Sequence, residues 1–289
     1  MTVQQATKEL AKDLSTIYDE RESSAITDWV MEYLTGWKRL ERIINKNELL
    51  SEYDADQLKE ITKQLLAHKP VQYILHQAWF HKMRLYVDEH VLIPRPETEE
   101  LVEWVIKEAD EIQTRVGGRR IRALDVGTGS GCIAIALKKE RPELEVHACD
   151  ISKDVLEVAK KNALHEDTKI EFHEMDFLDA KDRNSLPLFD LIISNPPYIS
   201  EQEKSIIDKH VVEYEPHLAL FVPENDSLIF YEQLASFGET QLQGGGYVLM
   251  EIHYAKANAV KQLFKQHGYE TELKKDMHGN DRMIAAWRQ

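Results

Sequence analysis

Cysteine is scarce in this 289-residue chain: Cys132 and Cys149 are the only two. Neither stands in a Cys-x-x-Cys or Cys/His spacing, which excludes a disulfide framework and a thiolate zinc site; both lie in apolar surroundings and are expected as buried thiols with no metal bound. Long apolar runs are missing as well. None approaches the ~18–20 residues of a membrane span, and Lys8, Glu9, Lys12 and Asp13 stand where a secretory leader needs apolar residues. A soluble, cytoplasmic protein of a reducing compartment is expected. Glycine and proline, at 12 and 9, exclude a collagenous chain. Positive charge is the last deficit. Lys+Arg number 36 against 51 Asp+Glu, and the net −15 divides into −3 over residues 1–90 and −12 over 91–289. Phosphate backbones are bound through clustered Lys and Arg, so nucleic acid is a disfavoured substrate.

What is present is enough to build a core, since 43% of residues are hydrophobic and the length allows two domains. Residues 1–70 read as helices only, with Leu10, Leu14, Ile17 and Tyr18, then Ile26, Trp29, Val30, Tyr33 and Leu34, then Leu58, Ile61, Leu65 and Leu66 at helical spacing. They carry no obvious chemistry, and a docking or covering role is expected. Residues 71–96 change texture. Phe80, Met83, Leu85 and Val87, then Val91 and Ile93, predict two short strands around an Asp88–His90 turn, a hairpin linker. It ends in Pro94-Arg95-Pro96, a rigid strut expected to line a cleft, and a helix opens at Pro96–Glu97. Across residues 97–289, strands alternate with helices from position 121. Unbroken apolar strands at 121–126, 145–149, 170–173, 189–194 and 246–252 predict an α/β fold with a doubly wound, mostly parallel sheet. A closing β-turn-β through His278-Gly279-Asn280 predicts an antiparallel strand near one edge.

Three stretches carry chemistry. Asp125-Val126-Gly127-Thr128-Gly129-Ser130-Gly131-Cys132 follows the first strand and opens a helix. Its glycines allow a tight turn and close ligand approach, the helix offers its N-terminal amides, and Asp125 suits a cofactor's amino group. Cys132 stands where a dinucleotide fingerprint wants its third glycine. Asp150 ends the second strand, where a carboxylate accepts from both ribose hydroxyls of a nucleoside. Asp176 with Phe177 follows the third strand, an acid and a ring suited to adenine. Asn195-Pro196-Pro197-Tyr198 then closes the fourth strand. Consecutive prolines permit no helix and fix the Asn195 side chain, whose oxygen, with the Pro196 carbonyl, offers two acceptors to a planar NH₂ group on which Tyr198 can stack.

These residues resemble a known family. Asn195-Pro196-Pro197-Tyr198 is similar to the signature of S-adenosylmethionine-dependent methyltransferases acting on planar nitrogen. Together with Pro70–Leu75 (PVQYIL), Val91–Glu99 (VLIPRPETE), 123–137 and 192–200, it resembles the HemK/PrmC family, the peptide chain release factor N5-glutamine methyltransferases. The resemblance runs over roughly residues 70–287. It implies a class I methyltransferase fold with a seven-stranded sheet, S-adenosyl-L-methionine as cofactor, and class I release factors as partners. The glutamine side-chain amide of their Gly-Gly-Gln tripeptide is then the acceptor. Cofactor binding falls to Asp125, Gly127, Thr128, Gly129, Ser130, Gly131, Asp150, Asp176, Phe177 and Asn195, and catalysis to Asn195, Pro196, Pro197 and Tyr198. One departure is Val222-Pro223-Glu224-Asn225-Asp226-Ser227, where the family tends to carry a glycine-rich turn. A nucleic acid amino-methyltransferase would use the same Asn-Pro-Pro-Tyr but needs a basic recognition region. A nicotinamide-dependent oxidoreductase would leave that motif idle and lacks the third glycine at 132, and a non-catalytic binding module is least favoured because every expected cofactor contact has a suitable residue.

Overall fold

A computed structural model describes residues 1–183, 185–223 and 226–288. The chain forms two compact units, one of Met1–Gln77 with Asp208–Tyr214, the other of Ala78–Ile207 with Glu215–Gln289. The first is helical: Val3–Leu14, Glu20–Thr35, Arg39–Ile44, Glu52–Leu66 and Val71–Leu75, with Lys209–Tyr214 contributed from far along the chain. Local chemistry sets the helix ends. Thr2 and Gln5 form a reciprocal capping box, Asp19 and Ser51 accept from the amides of Glu22 and Asp54, and Gly36 ends its helix in the left-handed conformation. Leu10, Leu14, Val30, Met31 and Leu65 are buried in a shared apolar cluster.

The second unit opens with a short hairpin, β1 (Ala78–Phe80) and β2 (Met83–Leu85). The turn is therefore at His81–Lys82, both with positive φ, and not at Asp88–His90 as the spacing of apolar residues predicts. Val91 and Ile93 are buried like strand residues but belong to none of the described strands; the Ile93 amide donates to the Glu215 carboxylate. The main sheet comprises β3 (Arg122–Val126), β4 (Glu145–Asp150), β5 (Glu171–Glu174), β6 (Phe189–Ser194), β9 (Leu242–Glu251), β10 (Glu270–Lys275) and β11 (Asp281–Trp287). A two-residue pair, β7 (Ile199–Ser200) with β8 (Phe221–Val222), stands apart.

Strand order is β10-β11-β9-β6-β3-β4-β5, parallel from β9 to β5, with β11 antiparallel to both neighbours. The seven-stranded, mostly parallel architecture thus matches the reading from the sequence. Both faces are buried, as continuous apolar strands require. Leu191, Ile193 and Leu249 enter one core cluster while Ile192, Val248 and Met250 enter the other, following the two-residue period of a strand. No described helix is long and apolar enough to cross a membrane.

Candidate active site

The carboxyl ends of β3, β4 and β6 lie side by side where strand order reverses, the place at which open α/β sheets bind ligands. A cavity of about 440 Å³ opens there, a size suited to a small ligand. Gly127, Gly129, Asp150, Asp176, Phe177, Asn195, Pro196 and Pro197 line it, so eight of the residues singled out in the sequence converge. Asp125, Thr128, Ser130, Gly131 and Tyr198 are not part of the lining.

Backbone chemistry positions the glycine turn. The amides of Gly127 and Thr128 donate to the Cys149 carbonyl at 2.9 and 3.0 Å, tying the turn to β4. A Cβ at Gly127 or Gly129 would enter open space, whereas one at Gly131 would meet Ile135 Cδ1 at 3.0 Å and Ala159 Cβ at 3.3 Å. The first two glycines therefore leave room for a ligand, and the third lets a helix pack. Asp150 Oδ2 accepts from the Gly129 amide and Oδ1 from the Ser152 amide, both at 3.2 Å, and each oxygen keeps capacity for another donor. Burial raises the Asp150 carboxyl above the usual range, opposed by these amides. Asp176 Oδ1 accepts from the Leu178 amide at 2.9 Å.

Two residues sit differently from expectation. Asp125 is only 1% exposed; its Oδ2 accepts from Thr128 Oγ at 2.7 Å, and its Oδ1 has no hydrogen-bond partner among the described residues. It clamps the turn from beneath, and burial pushes it up to about 7. Phe177 is a core ring, edge-on to Phe237 at 5.1 Å between centroids and with the Arg183 guanidinium 5.1 Å from its centre. It forms an apolar wall rather than a free stacking face.

At the end of β6, Asn195 Nδ2 donates to Thr98 Oγ1 at 3.1 Å, and Thr98 donates in turn to Glu251 Oε1. Both partners are 2% exposed. Tyr198 packs against the core, edge-on to His253, and burial pushes its hydroxyl up to about 12. The Pro-Arg-Pro strut is held by Glu215, whose carboxylate accepts from Arg95 at 2.5 Å and from the Ile93 amide at 3.2 Å. The cavity takes Glu89–Leu92, just before the strut, rather than the strut itself. Thr98, Glu215 and Glu251 were not singled out in the sequence. The one local signal was an acid, Glu251, closing an otherwise apolar strand.

Residues 3–75 match the PrmC N-terminal domain and residues 109–219 the Methyltransferase small domain. The release factor glutamine methyltransferase of Flavobacterium psychrophilum is 41% identical over 285 residues, covering 98% of each chain. The chain belongs to the release factor glutamine methyltransferase family. The member from Streptococcus pneumoniae is 38% identical over 279 residues, 96% of this chain and 91% of its own. The crystal structure of the hMettl16 catalytic domain in complex with MAT2A 3'UTR hairpin 6 superimposes with a TM-score of 0.54, covering 82% of each chain. At 16% identity it shares the fold alone. A release factor glutamine methyltransferase of this kind is an enzyme with a class I methyltransferase domain. The departure noted at 222–227 includes Glu224 and Asn225, which lie outside the described residues.

Proposed function

We propose that the protein transfers a methyl group from S-adenosyl-L-methionine to the side-chain amide nitrogen of the glutamine in the Gly-Gly-Gln tripeptide of class I release factors. The observation that carries this reading is that Asn195 and Pro196 line the same cavity as Asp150 and the glycine turn. A nucleoside-binding carboxylate and an acceptor for a planar NH₂ group thus share one small volume. The residues fit the cofactor: Gly127 and Gly129 leave space at the turn, and Asp150 retains acceptors for ribose hydroxyls. When bound, S-adenosylmethionine supplies the electrophilic methyl group.

An amide nitrogen is a weak nucleophile because its lone pair is delocalised into the carbonyl. Asn195 Oδ1 and the Pro196 carbonyl hold its two hydrogens and so aim the nitrogen, an orientation effect of up to about 7–11 kcal/mol in well-arranged cases. As the nitrogen gains positive charge, both oxygens bind it more strongly than the neutral amide, which is the preference for the transition state that catalysis requires. The product sheds its proton readily after transfer, so no side chain is needed as a strong base beforehand.

Residues 1–70 are assigned the docking of the release factor. Their unit presents Leu40, Ile43 and Ile44 exposed on one short helix. A translation factor as substrate places the work in the cytoplasm, in keeping with two unpaired buried thiols. Incubation with methyl-labelled S-adenosylmethionine and a release factor, its Gln→Ala variant, or DNA tests the reading. Label is expected on the first alone; label on DNA alone would hand the activity to the nucleic acid alternative.

A further inference from the structure

Beyond the two groups that touch the acceptor, Asn195 must present the right end of its amide. An Asn side chain can be turned over, exchanging one oxygen acceptor for two hydrogen donors. A turned-over Asn195 would set its own NH₂ against the substrate NH₂ and abolish the aim described above.

The structure assigns this choice to a relay: we propose that Thr98 and Glu251 are positioning residues that lock the Asn195 amide with its oxygen available to the cavity. An ionised carboxylate has no hydrogen to give, so in the Thr98–Glu251 bond the hydroxyl must donate. Having spent its only hydrogen, Thr98 Oγ1 can only accept from Asn195. The group of Asn195 that meets it, at 3.1 Å, must therefore be the NH₂. Oδ1 is left as the acceptor that the side chain offers in the cavity it lines. The three residues come from separate elements: Thr98 from the first turn of the helix Pro96–Arg115, Asn195 from the end of β6, and Glu251 from the end of β9, where register sets it opposite Met283. Thr98 and Glu251 are buried, so water cannot easily replace either partner.

The relay reverses if Glu251 takes up a proton. Glu251 could then donate to Thr98 and Thr98 to the Asn195 oxygen, turning the amide over. Burial pushes the Glu251 carboxyl up to about 7; Arg282 and Arg95 pull it down while Glu97 pushes it further up. Tyr198, Tyr231 and Cys132 also face it, but burial raises all three, so they keep their protons through the neutral range. Asp125 titrates in the same range, so the Glu251 contribution has to be isolated by substitution.

This inference rests on the glutamine-methylation reading and is tested on the full chain with a Gly-Gly-Gln peptide and S-adenosylmethionine. Wild-type kcat is expected to rise with pH through an inflection near 7. Thr98→Val should lower kcat about 10- to 100-fold through misorientation, with cofactor affinity unchanged within twofold, and Thr98→Ser should restore most of it. Glu251→Gln, whose amide can either accept from or donate to Thr98 and so no longer fixes the relay, should lower kcat and reduce the inflection, a result that stands whether or not Thr98→Val folds. A folded Thr98→Val with wild-type kcat, or an inflection of undiminished amplitude in Glu251→Gln, would overturn the relay. A wild type inactive on both the peptide and an intact release factor would overturn the underlying reading instead. An active wild type, an inactive Asn195→Ala and a fully active Thr98→Val would leave that reading intact and remove the relay alone.

Discussion

Replacing Asp150 with Ala separates ligand affinity from stability in one experiment. In the ligand-free protein the carboxylate accepts from the amides of Gly129 and Ser152 at 3.2 Å each, and burial holds it above its ordinary pKa. Its charge is thus carried at some cost to the fold, and removing it relieves that cost while orphaning two backbone donors. These effects oppose each other, so ligand-free stability should change little. Affinity has no such offset. Two hydrogen bonds from ribose hydroxyls to a charged acceptor contribute about 1.5–3 kcal/mol each. Taking about 3 kcal/mol in total, the cofactor Kd should rise at least about 100-fold. At a concentration of 100 wild-type Kd, wild type gains about 2.7 kcal/mol from ligand and the variant about 0.4. At about 2–4 °C per kcal/mol, the cofactor should raise wild-type Tm by about 5–11 °C and variant Tm by about 1–2 °C. Calorimetric titration and thermal melts with and without S-adenosylmethionine read both quantities. A Kd within threefold of wild type, or an undiminished Tm shift, would refute the assignment.

Asn195→Ala should abolish most turnover while leaving cofactor Kd nearly intact; wild-type rates in single-turnover assays would sink the acceptor role. Gly131→Ala places a Cβ at 3.0 Å from Ile135 and forces a residue with φ of 82° into left-handed backbone, so urea unfolding should show a loss of about 1–3 kcal/mol. Asp125, pushed up to about 7 by burial, holds its proton in the folded state over a range where the unfolded chain has lost it. Its contribution to stability therefore falls as pH rises from about 4 to 7 and levels off above. In Asp125→Asn that slope should disappear, and an unchanged difference between wild type and variant across pH 4.5–8 would contradict the burial argument. If residues 1–70 dock the release factor, Leu40→Glu with Ile44→Glu should raise KM for the intact factor but not for a short Gly-Gly-Gln peptide.

Much of the fold could be read directly from short-range patterns. Strand periodicity placed β3, β4 and β6, and the helix after the glycine turn begins at Cys132 as expected. Phe80 to Ile93 misled because burial alternates beyond the paired residues, and His81–Lys82 is not an obvious turn sequence. What ends the strand pattern is Glu215, more than 120 residues away, which takes the Ile93 amide that a strand would have used.

The sequence by itself determined the turn chemistry, the strand and helix types, and which residues stand at strand ends, since each depends on neighbours within a few positions. From those ends alone, Gly127, Gly129, Asp150, Asp176, Asn195 and Pro196 were placed at one site, because parallel strands in a doubly wound sheet present their carboxyl ends together. Only the tertiary structure decided how the side chains are used. It turned Asp125 inward to clamp the loop, sent the rings of Phe177 and Tyr198 into the core, and brought Thr98 and Glu251, 153 positions apart, onto Asn195. Side-chain orientation and long-range hydrogen bonds follow from packing between elements distant in the chain, and no local pattern encodes them.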